Sequence, residues 1–516
     1  MVTDELKYHI RQSFGLAPTL EQERAISIFA DFLTDYHPQT VMILRGAAGT
    51  GKTTLAAAIV RALTAVRMKL ALLAPTGRAA KVFSLYAGQP AYTIHRRIYR
   101  QKSLEGGFTL NYNVAQDTLF IVDEASMISL NSSVAFGGGG LLDDLIQFVY
   151  GGRNCRMLLI GDQAQLPPVG ETESPALSTA CLRAYGLHVY EANLNEVLRQ
   201  AAESGILFNA TRIRGFGGSK VRGYENSSEA ELSGVRVALA PPYLRTTAPT
   251  IRITGFSDIH IVPGDELIEQ LATSYSHTGL DDTIVVTRSN KRANIYNEGI
   301  RRTVLDREDE LCRGDRLMIV KNNYFWVKES ENGGPHGQRT LTTHGTQEQP
   351  VASSQSPISF IANGDVATVQ RIRNVHEQHG FHFAEVTMTF PDYDNYELTA
   401  TVLLDTLISE APALTPEQQQ QLFERVMADY ADIPHKADRL KKVKEDRYYN
   451  ALQVKFAYAV TCHKAQGGQW AHVYVDQGYM TDDMLTPDYI HWLYTAFTRA
   501  TEQLFIVNWP QTQVEE

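Results

Sequence analysis

The sequence has little cysteine, no long apolar run and no excess of positive charge, and each shortage narrows what the chain can be. Four cysteines, Cys155, Cys181, Cys312 and Cys462, are spread over 516 residues without a CxxC pair. That spacing offers neither a zinc site nor a disulfide framework, and it suits a reducing cytoplasm. No uninterrupted apolar stretch approaches the roughly 18 residues that a membrane span needs. The opening MVTDELKYHIRQ carries acidic groups and no apolar core, so a cytoplasmic location without a secretory signal or membrane partner is expected. The net charge of −10 argues against a protein that coats nucleic acid through bulk positive charge. A narrow groove gripping a few phosphates remains compatible with it.

What is present is distinctive. In VMILRGAAGTGKTTLAAAIV, an apolar strand runs into a glycine-rich turn and then an alanine-rich helix. Gly46 to Thr53 fit G-x-x-x-x-G-K-[ST], the phosphate-binding loop. Small residues let the backbone curl so that several N–H groups face one anion, helped by the helix N-terminus behind them. Gly46, Gly49, Thr50, Gly51, Lys52, Thr53 and Thr54 are therefore the candidate nucleotide-binding residues. Lys52 would reach the β- and γ-phosphates, and the Thr53 hydroxyl would ligate Mg²⁺. The chain is expected to bind ATP with Mg²⁺.

The length exceeds what one hydrophobic core normally serves, and about three domains are expected. Residues 40–194 alternate short apolar strands (TVMIL, KLALLA, TLFIV, RMLLI) with helices, the pattern of a parallel sheet covered on both faces. The polar stretch 101–117 reads as a hairpin excursion, and FGGGG at 136–140 as a flexible connection. A second, discontinuous α/β pattern begins near 190, with TIVVT at 283–287 leading into a helix. It resumes after 450 with FAYAVT, HVYVDQ, YIHWLYTAFTRA and LFIV. Between them, 309–449 holds short alternating strands that predict a small β-barrel, with an aperiodic polar loop at 328–357 expected to be disordered. The role of 212–250 stays unassigned.

The strand FIVDEAS ends on Asp123 and Glu124. In a parallel sheet that end lies beside the phosphate loop, where Asp123 can hold Mg²⁺ and Glu124 can orient and deprotonate the attacking water. The next strand end supplies Asp162 and Gln165, the latter placed to sense a γ-phosphate. Developing charge on that phosphate calls for cations, and Arg199 in LNEVLRQ and Arg499 in YTAFTRA are the candidates. Both fall in the second α/β unit, so nucleotide would sit in a cleft between units. His376, His379 and His382 match no zinc spacing and are read as structural.

With these residues on the page, the sequence resembles superfamily 1 helicases, and within them the RecD/Dda-type 1B group. TLEQERAI resembles the Q motif. GAAGTGKTT, LAPTGRAA, TIHR, VDEAS, GDQAQLPPVG, LNEVLRQ, VTCHKAQGGQW and YTAFTRA follow in the order of motifs I, Ia, Ib, II, III, IV, V and VI. The resemblance implies that Gln22 reads adenine. It implies two RecA-like motor domains, 1–190 and 191–308 with 450–516. It also implies a small 1B hairpin near 101–117 and an SH3-like 2B insertion over 309–449. It implies ATP-driven movement 5′ to 3′ on single-stranded DNA, with duplex junctions as substrate, and leaves protein partners in repair or recombination unassigned. Strand contacts are expected from Thr76 and Arg78 in motif Ia, Thr93 and His95 in Ib, and Thr461, His463, Lys464 and Gln466 in V. The basic stretch from Thr93 to Lys102, with Tyr99 interleaved, suits phosphates and stacked bases. An RNA- or hybrid-directed motor and a nucleotide-switched clamp remain the alternatives, since no motif distinguishes deoxyribose from ribose.

Lys52→Ala is expected to lose nucleotide binding and hydrolysis together. Glu124→Gln is expected to keep binding and lose turnover, which equilibrium binding of a fluorescent nucleotide beside a phosphate-release assay will separate.

Overall fold

The structure is a computed structural model that describes residues 2–101, 108–131, 140–197, 203–217, 230–232, 235–237, 249–327, 361–481 and 484–515. Its first unit is a six-stranded sheet in the spatial order Ala91–Thr93, Lys69–Ala74, Thr118–Val122, Arg156–Gly161, Thr40–Gly46, His188–Leu194. Every pairing in it is parallel. Both faces are buried, as a parallel sheet requires. Met42, Leu44, Ile121 and Ile160 face the helices Leu20–Thr34 and Lys52–Ala65. Val41, Ile43, Phe120 and Leu159 face Leu141–Tyr150.

A second sheet of five parallel strands follows the order Ile259–Val262, Ala500–Val507, Trp470–Asp476, Thr283–Thr287, Ala459–Thr461. A closed five-stranded barrel is built from Arg316–Ile319, Val366–Gln378, Phe381–Phe390, Tyr396–Leu403 and Leu452–Phe456. Its longest hairpin turns through His379 and Gly380, both at positive φ (54° and 68°), the requirement of a type I′ turn. Between its last two strands the helices Pro416–Asp429 and Lys436–Lys444 lie over Phe381, Phe383 and Leu403.

Three details differ from the sequence reading. The strand His188–Leu194 pairs with the phosphate-loop strand along its whole length, so a division at 190/191 cuts through it. The barrel is closed by Leu452–Phe456, beyond the expected edge at 449. The cause is a crossover without turn residues: the chain passes from barrel to sheet at Ala457–Tyr458. Asn297 holds it there, with Oδ1 accepting from Tyr458 and Ala459 N–H (3.1 and 2.8 Å). Third, the hairpin ladder joins Tyr99–Gln101 to Phe108–Leu110, earlier and shorter than 101–117. Asn113 leaves the ladder to bond the Val149 carbonyl at 3.1 Å and the Ala115 N–H at 3.0 Å. Residues 102–107, residues 136–139 of FGGGG, most of 212–250 and the whole loop 328–357 lie outside the described residues.

Barrel and second sheet share one buried ionic knot. The Asp315 carboxylate, fully buried, accepts from Arg301 Nε (3.2 Å) and Nη2 (3.0 Å), Arg307 Nη1 (2.9 Å), the Tyr458 hydroxyl (2.9 Å) and Cys312 N–H (2.7 Å). Arg301 also stacks on Phe456, 4.2 Å from its ring centre. Removing the acid would strand two arginines. Asp315→Ala is therefore expected to lower stability by about 3–5 kcal/mol, read as a shift of the urea midpoint.

Candidate active site

Gly46 can only be glycine: a Cβ there would lie 2.7 Å from Thr50 Oγ1 and 2.8 Å from Lys52 Cγ. Gly49 and Gly51 take positive φ (75° and 79°), which curls the loop ahead of the helix Lys52–Ala65. The Thr50 hydroxyl ties the curl by donating to the Ala47 carbonyl at 2.8 Å. Lys52 Nζ spans the loop, donating to the Gly46 and Ala47 carbonyls (2.5 and 2.9 Å) with Asp162 Oδ2 at 3.9 Å. Thr53 is half-buried beside it and Thr54 exposed.

Gln22 sits behind this loop, 1% exposed. Its Oε1 accepts from Thr19 N–H (2.9 Å) in a capping box, and its Nε2 donates to the Thr50 carbonyl (3.1 Å). The amide therefore braces the loop.

Asp123 and Glu124 stand at the end of their strand, both half-buried. Glu124 adopts a left-handed backbone (φ 51°), rare for a residue with a Cβ, and donates its N–H to Asp123 Oδ1 at 2.9 Å. Burial, then the neighbouring Glu124 charge, push the Asp123 carboxyl up to about 7. A hard divalent cation relieves that situation, and the Asp123 carboxylate and the Thr53 hydroxyl are ligand types magnesium accepts when substrate phosphates supply the rest. Gln165, buried, has its Oε1 without a hydrogen-bond partner among the described residues. Such an atom awaits a donor.

The second unit closes over the loop through the helix Pro487–Phe497. The Tyr494 hydroxyl accepts Ala48 N–H at 2.8 Å and donates to Asp162 Oδ2 at 2.6 Å. One residue on, Thr495 Oγ1 accepts Leu166 N–H at 2.8 Å. Gln466 Nε2 donates to the Leu166 carbonyl at 2.6 Å, and His491 Nδ1 meets the Ala164 carbonyl at 2.8 Å. From the helix Gly205–Gly217, Leu207 reaches the loop, where a Cβ on Gly49 would meet it at 3.2 Å. The Arg214 charge from the same helix acts on the Tyr494 phenol. Arg499 is 2% exposed and bonded to the Thr495 carbonyl (3.1 Å), the Gly468 carbonyl (3.1 Å) and Thr498 Oγ1 (3.3 Å). Arg199 lies outside the described residues. Sequence reasoning missed Tyr494, Thr495, His491 and Arg214. The legible signal was a run of polar-tipped side chains inside the apolar helix YIHWLYTAF.

The expected strand contacts fall into two groups. Thr76 caps the helix Gly77–Ala87 through Ala79 N–H. Arg78 donates to the Gln469 carbonyl at 2.6 Å and stacks on Trp470 at 4.3 Å. Thr461 precedes the short helix Cys462–Ala465, within which partial desolvation lowers the His463 imidazole. Lys464, bonded to Asn363 of the barrel, is lowered to about 8 by burial and the nearby Lys455. Gln466, by contrast, is spent between the two units. Thr93 is buried as a cap for Arg96 N–H, and burial lowers His95 to about 4. The histidines at 376 and 382 serve separate partners, Tyr448 and Asp405.

Two families match this chain: the AAA domain over residues 21–227 and the UvrD-like helicase C-terminal domain over 456–507. The first match falls on the unit that holds the phosphate loop and the second on the second parallel sheet. More narrowly, the curated relatives that the chain is similar to include RecD-type DNA helicases. The ATP-dependent RecD2 DNA helicase of Deinococcus radiodurans is 33% identical over 168 residues, 32% of this chain and 21% of that protein. The RecBCD enzyme subunit RecD of Mycobacterium tuberculosis is 27% identical over 430 residues, 74% of this chain and 66% of that one. The chain thus spans about a fifth of the RecD2 protein and just under two thirds of the RecD subunit. Among solved structures, Bacteroides Pif1 bound to single-stranded DNA aligns with a TM-score of 0.42 at 13% identity, covering 97% of this chain and 95% of that one.

The Asp123 carboxyl, raised from an ordinary 3.8, is held neutral more firmly in the fold than in the unfolded chain. Its contribution to stability is full below about pH 4 and fades as pH rises through 7. Asp123→Asn is expected to abolish that loss. Without nucleotide or magnesium, its stability relative to wild type should be about 1 kcal/mol or more higher at pH 8 than at pH 4. Urea titrations at the two pH values read the difference.

Proposed function

We propose that the chain is an ATP-dependent DNA helicase that moves 5′ to 3′ on single-stranded DNA and opens duplex junctions. The observation that carries this reading is the seam between the two parallel sheets: Tyr494 bonds Ala48 N–H on the phosphate loop, and Thr495 bonds Leu166 N–H beyond the end of the strand Arg156–Gly161. A ligand bound there touches both units, so its arrival and loss change their spacing, a direct route from hydrolysis to movement.

In this reading the sheet units ending near 194 and spanning 249–308 with 457–516 are RecA-like motor domains. The hairpin at Tyr99–Leu110 is the 1B element, and the barrel is the SH3-like 2B insertion. The loop N–H groups and Lys52 cradle the phosphates, with Gln22 supporting the loop from behind. Thr53 and Asp123 would hold magnesium, which would neutralise charge on the phosphates. Glu124 takes the proton of the attacking water, and Gln165 Oε1 orients that water. Arg199 and Arg499 supply positive charge; Arg499 exchanges its carbonyl partners for phosphate oxygens as the units close. Thr76, Arg78, Thr461, His463 and Lys464 face the strand, with Thr93 and His95 shaping the neighbouring basic turn.

Strand displacement on duplexes with a 5′ or a 3′ single-stranded tail tests this directly. Opening of the 5′-tailed duplex alone, with ATP and magnesium, is the expected result. Opening from the 3′ tail reverses the polarity, ATPase without displacement leaves a clamp, and preference for an RNA tail redirects the motor.

A further inference from the structure

We infer that Tyr494 is a positioning residue through which the second unit reads the occupancy of the phosphate loop: its hydroxyl holds Ala48 N–H as a stand-in for a phosphate oxygen and yields it when a triphosphate enters. The inference rests on the proposed ATP binding at Gly46–Thr53 and deepens it. Neither the loop pattern nor the arginines assign Tyr494 a role.

The geometry is specific. Ala48 lies inside the turn whose N–H groups converge on an anion, yet its N–H points to a side chain that comes from 446 residues away. The phenol is 1% exposed and uses both of its capacities, accepting from Ala48 and donating to Asp162 at 2.6 Å. Asp162 Oδ2 lies 3.9 Å from Lys52 Nζ, so loop, phenol, carboxylate and lysine form one chain of contacts. Burial and the Asp162 charge push the phenol far up, and it therefore remains a protonated donor at every working pH. A phosphate oxygen that takes Ala48 N–H displaces the phenol as acceptor. The phenol keeps its one proton, which it can go on donating to Asp162 or turn toward the phosphate. Either way, the helix Pro487–Phe497 changes its anchor on the loop. That helix also carries Thr495, whose carbonyl holds Arg499 at 3.1 Å, so the change reaches the arginine through one helical turn.

The prediction has an unusual sign. Tyr494→Phe removes a competitor for Ala48 N–H, so ATPγS should bind about fivefold more tightly than to wild type, the worth of one net hydrogen bond. In the same variant, stimulation of ATP hydrolysis by oligo-dT should fall about tenfold in kcat while KM for ATP does not rise. Thr495→Val breaks the same seam at Leu166 without touching the loop, and its ATPγS affinity should stay within about twofold of wild type. Tighter ATPγS binding with lost stimulation in Tyr494→Phe supports the inference. Unchanged or weaker ATPγS binding in that variant, or equal tightening in Thr495→Val, overturns it. A wild-type protein that neither binds ATPγS nor hydrolyses ATP in response to oligo-dT overturns the proposed function itself, before either variant is compared.

Discussion

A loop built to hold an anion presents more donors than its own backbone can satisfy, and a buried donor left alone is costly. In this chain the shortage of acceptors at Gly46–Thr53 organises the surroundings. Lys52 turns back to the Gly46 and Ala47 carbonyls, and Ala48 N–H finds a phenol from the other sheet. The second unit is attached to the first at the very groups a phosphate would claim. Attachment and phosphate binding would therefore draw on the same hydrogen bonds.

The barrel adds a second junction, on the opposite side of the first sheet's strand ends. Asp365 is buried, and burial raises its carboxyl to about 7; it takes the Tyr393 hydroxyl at 2.9 Å and Ala362 N–H at 2.7 Å. A Cβ on Gly77 would lie 2.5 Å from that same hydroxyl. Lys81 reaches the Pro391 carbonyl at 2.8 Å, while Arg78 crosses to Gln469 and Trp470. The helix Gly77–Ala87 is thus pinned by barrel and second sheet together, and all three units converge on one helix start. The units are thus joined here through packed, hydrogen-bonded parts.

Much of the architecture was legible because it is written locally. Period and composition marked the strands of both sheets, the barrel and the helix behind the phosphate loop, since burial on both faces demands continuous apolar runs. Domain edges were less legible. Leu194 and Leu452 belong to units that composition assigned differently, because strand membership depends on which neighbour supplies the hydrogen bonds. At the site, the residues of the loop and of the two acidic strand ends were named from spacing alone. The partners of those residues were not.

The sequence by itself determined that a phosphate loop exists, that carboxylates follow its neighbouring strand and that basic and amide side chains mark the second unit, because each depends on residues within a few positions of one another. Only the tertiary structure decided where those side chains are spent. Gln22 braces Thr50, Gln466 and Arg499 are committed to carbonyls along the seam, and Tyr494 meets Ala48. The reason is physical: a buried hydrogen bond pairs groups separated by up to 446 residues, and no local pattern encodes which distant acceptor will lie within 3 Å of a given donor.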